Sequence, residues 1–213
     1  MGYDSYIFDL DGTLLDTIDD LAFSCNYALE KYGMPPRSIE EVKAAVGNGV
    51  KKLLERTVPE GLNNPMFDQT FAAFKEHYLI HCTEHTYPYP GITELLTELR
   101  ERGKHIAVVS NKFDAATKGL VKHFFGKTVE VAIGEYDINK RKPAPDMVFE
   151  ALKKMGQSHE TAIYIGDSNV DIDTAQNSRL PCISVLWGFR SADFLIASGA
   201  SILVSKPKDI LDL

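Results

Sequence analysis

Residues 5–13 read Ser-Tyr-Ile-Phe-Asp-Leu-Asp-Gly-Thr. Ser5 to Phe8 is short, apolar and aromatic enough to be a buried strand. Asp9 and Asp11 follow it, spaced by one residue. Side chains two apart on extended backbone point to the same side, so the two carboxylates share a direction. That pairing costs energy unless a cation sits between them. Taken alone, a DxD pair also occurs in turns and in the metal sites of glycosyl-transferring enzymes. It acquires a meaning only from what the rest of the chain sets beside it.

Beyond residue 90, short apolar runs alternate with helix-length periodic segments, the pattern of a parallel sheet flanked by helices. The runs are His105 to Val109, Val129 to Ile133, Ala162 to Ile165 and Cys182 to Val185, with Ile202 to Val204 as a weaker sixth strand. Gly91 to Arg102 carries Leu95, Leu96 and Leu99 on one side, and Pro145 to Met155 opens on proline and stops at Gly156. The expected core is therefore α/β, a Rossmann-like parallel sheet with helices on both faces. Residues 16–86 break the alternation with helical periodicity at Thr17 to Tyr32, Ser38 to Val46, Val50 to Thr57 and Pro65 to Cys82, and no convincing strand. They read as an inserted small α-helical cap domain, with residues 1–15 and 87–213 forming the catalytic core. An insertion after the first strand predicts a lid over the carboxyl ends of the sheet, where open α/β sheets bind ligands.

Four strand or helix ends then converge in expectation. Ser110-Asn111 ends the second strand, so its hydroxyl and backbone N–H groups project from the same sheet edge as Asp9. Lys142-Pro143 precedes the helix at Pro145, placing an ammonium near a helix N-terminus, where phosphate also prefers to lie. Gly166-Asp167 ends the fourth strand, and Asp171 follows Asp167 by one helical turn.

DLDGT, the Ser110 segment, KPAPD and GDSNVD resemble the four ordered motifs of the haloacid dehalogenase superfamily, and the position of the helical insertion is similar to the phosphoglycolate phosphatase-like branch. The resemblance spans the whole chain and implies a phosphatase that works through an aspartyl-phosphate. It implies that Asp9 is nucleophile and metal ligand, Asp11 general acid/base and ligand through its backbone carbonyl, and Asp167 the third protein ligand. Ser110, Asn111 and Lys142 would bind the phosphoryl group, and Asp171 would orient water or Lys142. Physical chemistry is compatible with this set. Mg²⁺ takes hard oxygen ligands and keeps several waters, so carboxylates, a carbonyl, phosphate and water suffice. A dianionic phosphate is repelled by Asp9 unless Mg²⁺ and Lys142 offset the charge.

Other residues carry blander readings. Asp16, Asp19 and Asp20 open a helix, where acids favour the dipole. Lys140 and Arg141 adjoin Lys142 but lack its following proline, and Asp173 falls outside the GDxxxD spacing and reads as solvated. His77, His81, Cys82 and His85 could bind zinc adventitiously, although an exposed helix end explains them. Gly47-Asn48-Gly49 with Lys51 looks like a loop that phosphoglycolate phosphatases direct toward substrate; as plain chemistry it is equally an inter-helix turn. Trp187 and Phe189 read as packing or surface residues.

With 213 residues and 44% hydrophobic content the chain can bury a core. A net charge of −7 argues against nucleic-acid or anionic-membrane partners. The N-terminal segment lacks signal-peptide character, no apolar run reaches spanning length, and Cys25, Cys82 and Cys182 are scattered as reduced thiols usually are. The expected protein is cytoplasmic, a monomer or homodimer, acting on a small phosphorylated metabolite. Pyrophosphate, nucleotide or sugar phosphate substrates, a β-phosphoglucomutase-like mutase and a phospho-accepting signalling module are the competing readings. Asp11 separates the last of these, since a proton-transfer group promotes turnover where a signalling module benefits from a long-lived phosphate.

Overall fold

The computed structural model describes residues 2–213. By its contacts the chain divides into two compact units, Met1–Asp16 with Pro88–Leu213, and Thr17–Tyr87.

The larger unit is built on strands β1 (Ser5–Phe8), β4 (His105–Phe113), β5 (Val131–Glu135), β6 (Ala162–Gly166), β7 (Cys182–Val185) and β8 (Ile202–Val204), ordered β5-β4-β1-β6-β7-β8 and paired in parallel. Two further strands, β2 (Leu15–Asp16) and β3 (Tyr87–Pro88), form a separate ribbon at the two places where the chain passes between units. Each is two residues long, too short for a period to announce it. Helices α5 (Ile92–Glu101), α6 (Asp114–Phe125), α7 (Asp146–Met155), α8 (Asn169–Asn177) and α9 (Ala192–Ala197) belong to this unit, with 3-10 turns at His159–Thr161 and Pro207–Asp212.

Residues of β1 alternate between two layers, and both are covered. Ile7, Ala107, Val109, Ile133 and Tyr164 pack with Met147, Val148, Ala151 and Leu152 of α7. Their neighbours Tyr6, Phe8, Ile106, Val108, Ile163 and Ile165 are also buried. A strand buried on both faces must be apolar throughout, which is why these segments read as continuous hydrophobic runs. From β1 the chain adds β4 and β5 on one side, then returns to lay β6, β7 and β8 on the other. The reversal of order at β1 is a topological switch point, the place where open α/β sheets bind ligands at the carboxyl ends of their strands. Phe8 lies level with Val108 and Ile165, so Asp9 and Asp167 leave β1 and β6 beside Ser110, which with Asn111 lies within β4 and does not end it as expected.

Four strand bounds differ from expectation, two of them where β5 and β6 run on to Glu135 and Gly166 past Ile133 and Ile165. β4 runs on to Phe113, past Val109, with a shift of register against β5 between those residues. β5 begins at Val131 instead of Val129. The sequence pattern marks neither α6 nor α9. Gly119 and Thr117 weaken the helical pattern of α6, and α9 has six residues and one buried side chain.

The smaller unit holds α1 (Ile18–Lys31), α2 (Ile39–Ala45), α3 (Val50–Thr57) and α4 (Phe67–His81). Leu21, Cys25, Ala28 and Leu29 of α1 and Phe74 and Tyr78 of α4 are buried, the last two with rings stacked 5.5 Å apart. Ser38 and Glu41 close α2 with a reciprocal capping box. Asp20 lies in the first turn of α1, as expected of a helix start, and it is also fully buried, accepting from the His85 backbone N–H at 3.0 Å and from the His85 ring at 3.1 Å.

Ile7 sits at the centre of the sheet with no exposed surface, so Ile7→Ala is expected to cost about 2–5 kcal/mol. Ile196→Ala, at a side chain 57% exposed, is expected to stay within about 0.5 kcal/mol. Urea denaturation measures both, and equal losses would contradict this placement of the core.

Candidate active site

Asp9 leaves β1 with its amide donating to Ile165 O at 2.9 Å, which fixes its backbone against β6. Immediately after it, the amides of Thr13, Leu14 and Leu15 all turn back to Leu10 O. This tight loop requires the positive φ of 83° at Gly12. It also brings the backbone so near β6 that a Cβ on Gly12 would lie 2.3 Å from Asp167 Oδ2. Gly188 is under the same constraint from the other side, since its Cβ would lie 2.3 Å from Asp167 Cβ. Two glycines far apart in sequence are thus the space in which Asp167 sits.

Lys142 is the hub. Its ammonium, 3% exposed as a residue, lies 2.7 Å from Asp9 Oδ1, 2.8 Å from Asp171 Oδ1 and 3.0 Å from the Tyr164 hydroxyl. Three protons thus meet three oxygens. Arg141 instead faces Glu135 at 3.7 Å and Lys140 lies over the Tyr136 ring, so among these three cations Lys142 is the one at the carboxylates. Asp171 is saturated: Oδ1 accepts from Lys142 and Tyr164, and Oδ2 from the amide (3.1 Å) and hydroxyl (2.6 Å) of Ser168. Asp173 is exposed.

The other expected residues fall as follows. Ser110 is buried and its hydroxyl accepts from the Lys112 amide at 3.2 Å, leaving its proton to donate. Asn111 directs its side-chain amide to Lys142 O at 3.0 Å, so this contact braces the lysine segment. Gly47, Asn48, Gly49 and Lys51 lie in the smaller unit, where the Asn48 side-chain oxygen accepts from Arg56 at 2.8 Å and Lys51 is exposed. The histidines there have separate partners: His77 meets Ser24, His81 meets Glu84 and His85 meets Asp20.

Four contributors escaped the sequence reading. Lys112 Nζ lies 2.8 Å from Asp11 Oδ1. Tyr164 presents its hydroxyl to Lys142 and Asp171. Trp187 donates through Nε1 to Thr13 O at 2.9 Å, and the Phe189 amide donates to Asp167 Oδ2 at 2.7 Å. The last two are bonds within the chain that tie residues 187 and 189, read as packing or surface residues, to the loop after β1 and to Asp167. Phe189 acts through a backbone N–H, which every non-proline residue carries, so its side chain gave no signal.

One carboxylate oxygen from each of Asp9, Asp167 and Asp171 lies within 4.8 Å of the others. Burial, reinforced by the neighbouring carboxylates, holds the Asp9 carboxyl well above the usual range despite Lys142. Burial and then Asp171 push Asp167 up to about 7. For Lys142, burial opposes the charge, but Asp171 and Asp9 outweigh it and hold the ammonium well above its ordinary value. Once ionised, three buried acids beside one such lysine carry an excess of negative charge, and a divalent cation fits that excess. All donors are hard oxygens, which suits Mg²⁺. Because Asp171 already accepts four hydrogen bonds, one of them from Lys142, Asp9 and Asp167 are the carboxylates with capacity for a metal.

Comparison with known proteins agrees with this geometry. The sequence model for the haloacid dehalogenase-like hydrolases matches residues 6–185. The phosphoglycolate phosphatase of Rhodobacter capsulatus is 34% identical over 189 residues, covering 86% of this chain and 84% of that protein. The enzyme of the same name from Aquifex aeolicus (strain VF5) is 29% identical over 208 residues, covering 97% and 94%. A crystal structure from Lactobacillus delbrueckii subsp. bulgaricus, assigned by inference as a phosphoglycolate phosphatase, has 37% identity and a TM-score of 0.93, covering 99% of this chain and 97% of that one. CbbY from Rhodobacter sphaeroides, at 23% identity and a TM-score of 0.79, shares the fold. A match over most of the length, carried on a parallel sheet whose switch point gathers these acids around one lysine, makes the chain a member of the haloacid dehalogenase-like hydrolase family.

Proposed function

We propose that this hydrolase cleaves a small phosphomonoester in two steps, with Asp9 as nucleophile and Mg²⁺ as cofactor. The observation that carries the reading is the Lys142 ammonium 2.7 Å from Asp9 Oδ1, because it supplies positive charge where a phosphoryl group would meet the attacking carboxylate. In the first step an Asp9 oxygen attacks phosphorus, the bond to the alcohol oxygen breaks, and Asp11 gives that oxygen its proton. In the second step water attacks the aspartyl-phosphate, Asp11 takes its proton, and the bond to Asp9 breaks, releasing inorganic phosphate. Lys142 exchanges its contact with Asp9 for the transferring oxygens, while Asp171 and Tyr164 keep its ammonium in place. Ser110 donates its hydroxyl proton to a phosphoryl oxygen. Mg²⁺, held by Asp9, Asp167 and the Asp11 carbonyl, would offset phosphoryl charge and so permit an anion to attack an anion.

The named relatives favour 2-phosphoglycolate as substrate. On this reading residues 17–87 act as a cap that reads the part of the substrate beyond the phosphoryl group, with Gly47, Asn48, Gly49 and Lys51 as its contact loop. Three free cysteines suit a reducing cytoplasm. Among the described residues no helix is long and apolar enough to cross a membrane.

Asp9→Asn is expected to abolish phosphate release from 2-phosphoglycolate with an unchanged circular dichroism spectrum, and chelation should silence the wild type reversibly. Retained turnover in the variant would end the nucleophile assignment. Asn48→Ala removes the oxygen that Arg56 holds. It should lower kcat/KM for 2-phosphoglycolate several-fold more than for p-nitrophenyl phosphate, and equal changes would detach the loop from specificity.

The raised carboxyl at Asp167 also predicts a pH dependence. A group whose folded value exceeds its unfolded one stabilises the protein below the unfolded value and loses that contribution as pH rises through the folded value. In chelator, urea unfolding should therefore show a contribution on the order of a few kcal/mol lost between about pH 4 and pH 7. Asp167→Asn should flatten that slope, and excess Mg²⁺, which binds the ionised form, should oppose it. Identical slopes in wild type and variant would assign the dependence to other groups.

A further inference from the structure

The reaction scheme above leaves one buried cation unused. Lys112 has a side chain 1% exposed, and its Nζ lies 2.8 Å from Oδ1 of Asp11, itself 13% exposed. Its backbone is fixed on several sides. The amide donates to Ser110 Oγ at 3.2 Å, and the carbonyl accepts from Thr117 Oγ1 at 3.3 Å. Gly134 on β5 lies so close that a Cβ there would be 2.6 Å from that carbonyl. The residue sits in the stretch where β4 departs from its register with β5, between Val109 and Phe113. The irregular end of β4 therefore delivers a lysine to a chosen carboxylate. Burying an ammonium is unfavourable before pairing, and an apolar side chain would fill the same volume without that penalty. Packing alone does not account for it.

We infer that Lys112 is a positioning residue for Asp11. The inference rests on the reading of Asp11 as the proton-transfer group. By donating to Oδ1, Lys112 fixes the rotation of the Asp11 carboxyl. In the first step the proton passes from that carboxyl to the departing alcohol oxygen as the phosphorus–oxygen bond breaks. In the second, a proton of the attacking water returns to it. Lys112 itself neither gives nor takes a proton and touches no substrate atom. The two aspartates at the end of β1 thus each have a buried lysine, Lys142 holding Asp9 and Lys112 holding Asp11.

The test separates positioning from general damage by the leaving group. The full chain with Mg²⁺ is assayed for kcat/KM, which reports through release of the alcohol, on 2-phosphoglycolate and p-nitrophenyl phosphate. The first expels an alkoxide that needs a proton, the second a phenolate that does not. Lys112→Met is expected to lose roughly 10–100-fold on 2-phosphoglycolate and under about threefold on p-nitrophenyl phosphate. Added to Asp11→Asn, it should cost nothing further on either substrate. Lys112→Gln keeps a donor without the charge and should recover part of the loss. It also carries the same comparison should the methionine variant fail to fold. Equal losses on both substrates, or a full further loss in the Asp11→Asn background, would overturn the inference. Asp11→Asn that is itself indifferent to the leaving group would overturn the proton-transfer reading, and the inference with it. A selective Asp11→Asn beside an unselective Lys112→Met would overturn the inference alone.

Discussion

Lys142 holds its charge in a place where water cannot help it, and the surrounding structure is arranged to make that possible. Removing an ammonium from solvent costs several kcal/mol, which is recovered only if its protons meet well-placed oxygens. Asp9, Asp171 and Tyr164 provide them from β1, α8 and β6. Each partner is held in turn: Asp9 by its amide on Ile165 O, Asp171 by Ser168, Tyr164 by its place in the central sheet. Loosening any of these would leave a buried charge without its counterpart, so the network constrains the strand order as much as the strand order constrains the network.

The same arrangement explains why the acids outnumber the lysine. A fully neutralised cluster would be a finished salt bridge with nothing left to do. Here Asp171 is consumed by Lys142 and its neighbours, whereas Asp9 and Asp167 keep raised affinities for a positive partner. Burial therefore plays two parts, setting a charge in place and leaving a demand for another. The family match over residues 6–185 puts that demand in a hydrolase.

What could be read in the sequence follows from where information is stored along a chain. Parallel strands buried on both faces are continuous apolar runs, so β1, β6 and β7 announce themselves, and polar residues that end such runs stand out against them. Asp9, Ser110 and Asp167 are visible for that reason. Tyr164 is hidden inside its run, where an aromatic residue looks like core until its hydroxyl is placed. Lys112 looks like a solvated lysine at a strand end, because the continuation of β4 beyond Val109 depends on an irregular register that no period records. Phe189 contributes a backbone amide, and Gly188 contributes an absence. Asp20 resembles the other acids of a helix start, and its pairing with His85 spans too many residues for spacing to suggest it.

That last contact bears on how such a chain arises. The Asp20 carboxylate near the start of the helical unit grips the backbone of His85 near its end, so the segment closes on itself close to where it is entered and left. A segment with adjoining ends can be lengthened, shortened or exchanged while the host sheet keeps its own apolar layers. Diversification of such a protein is then modular: the chemistry is inherited with the strands, and variety is grafted in between residues 16 and 88.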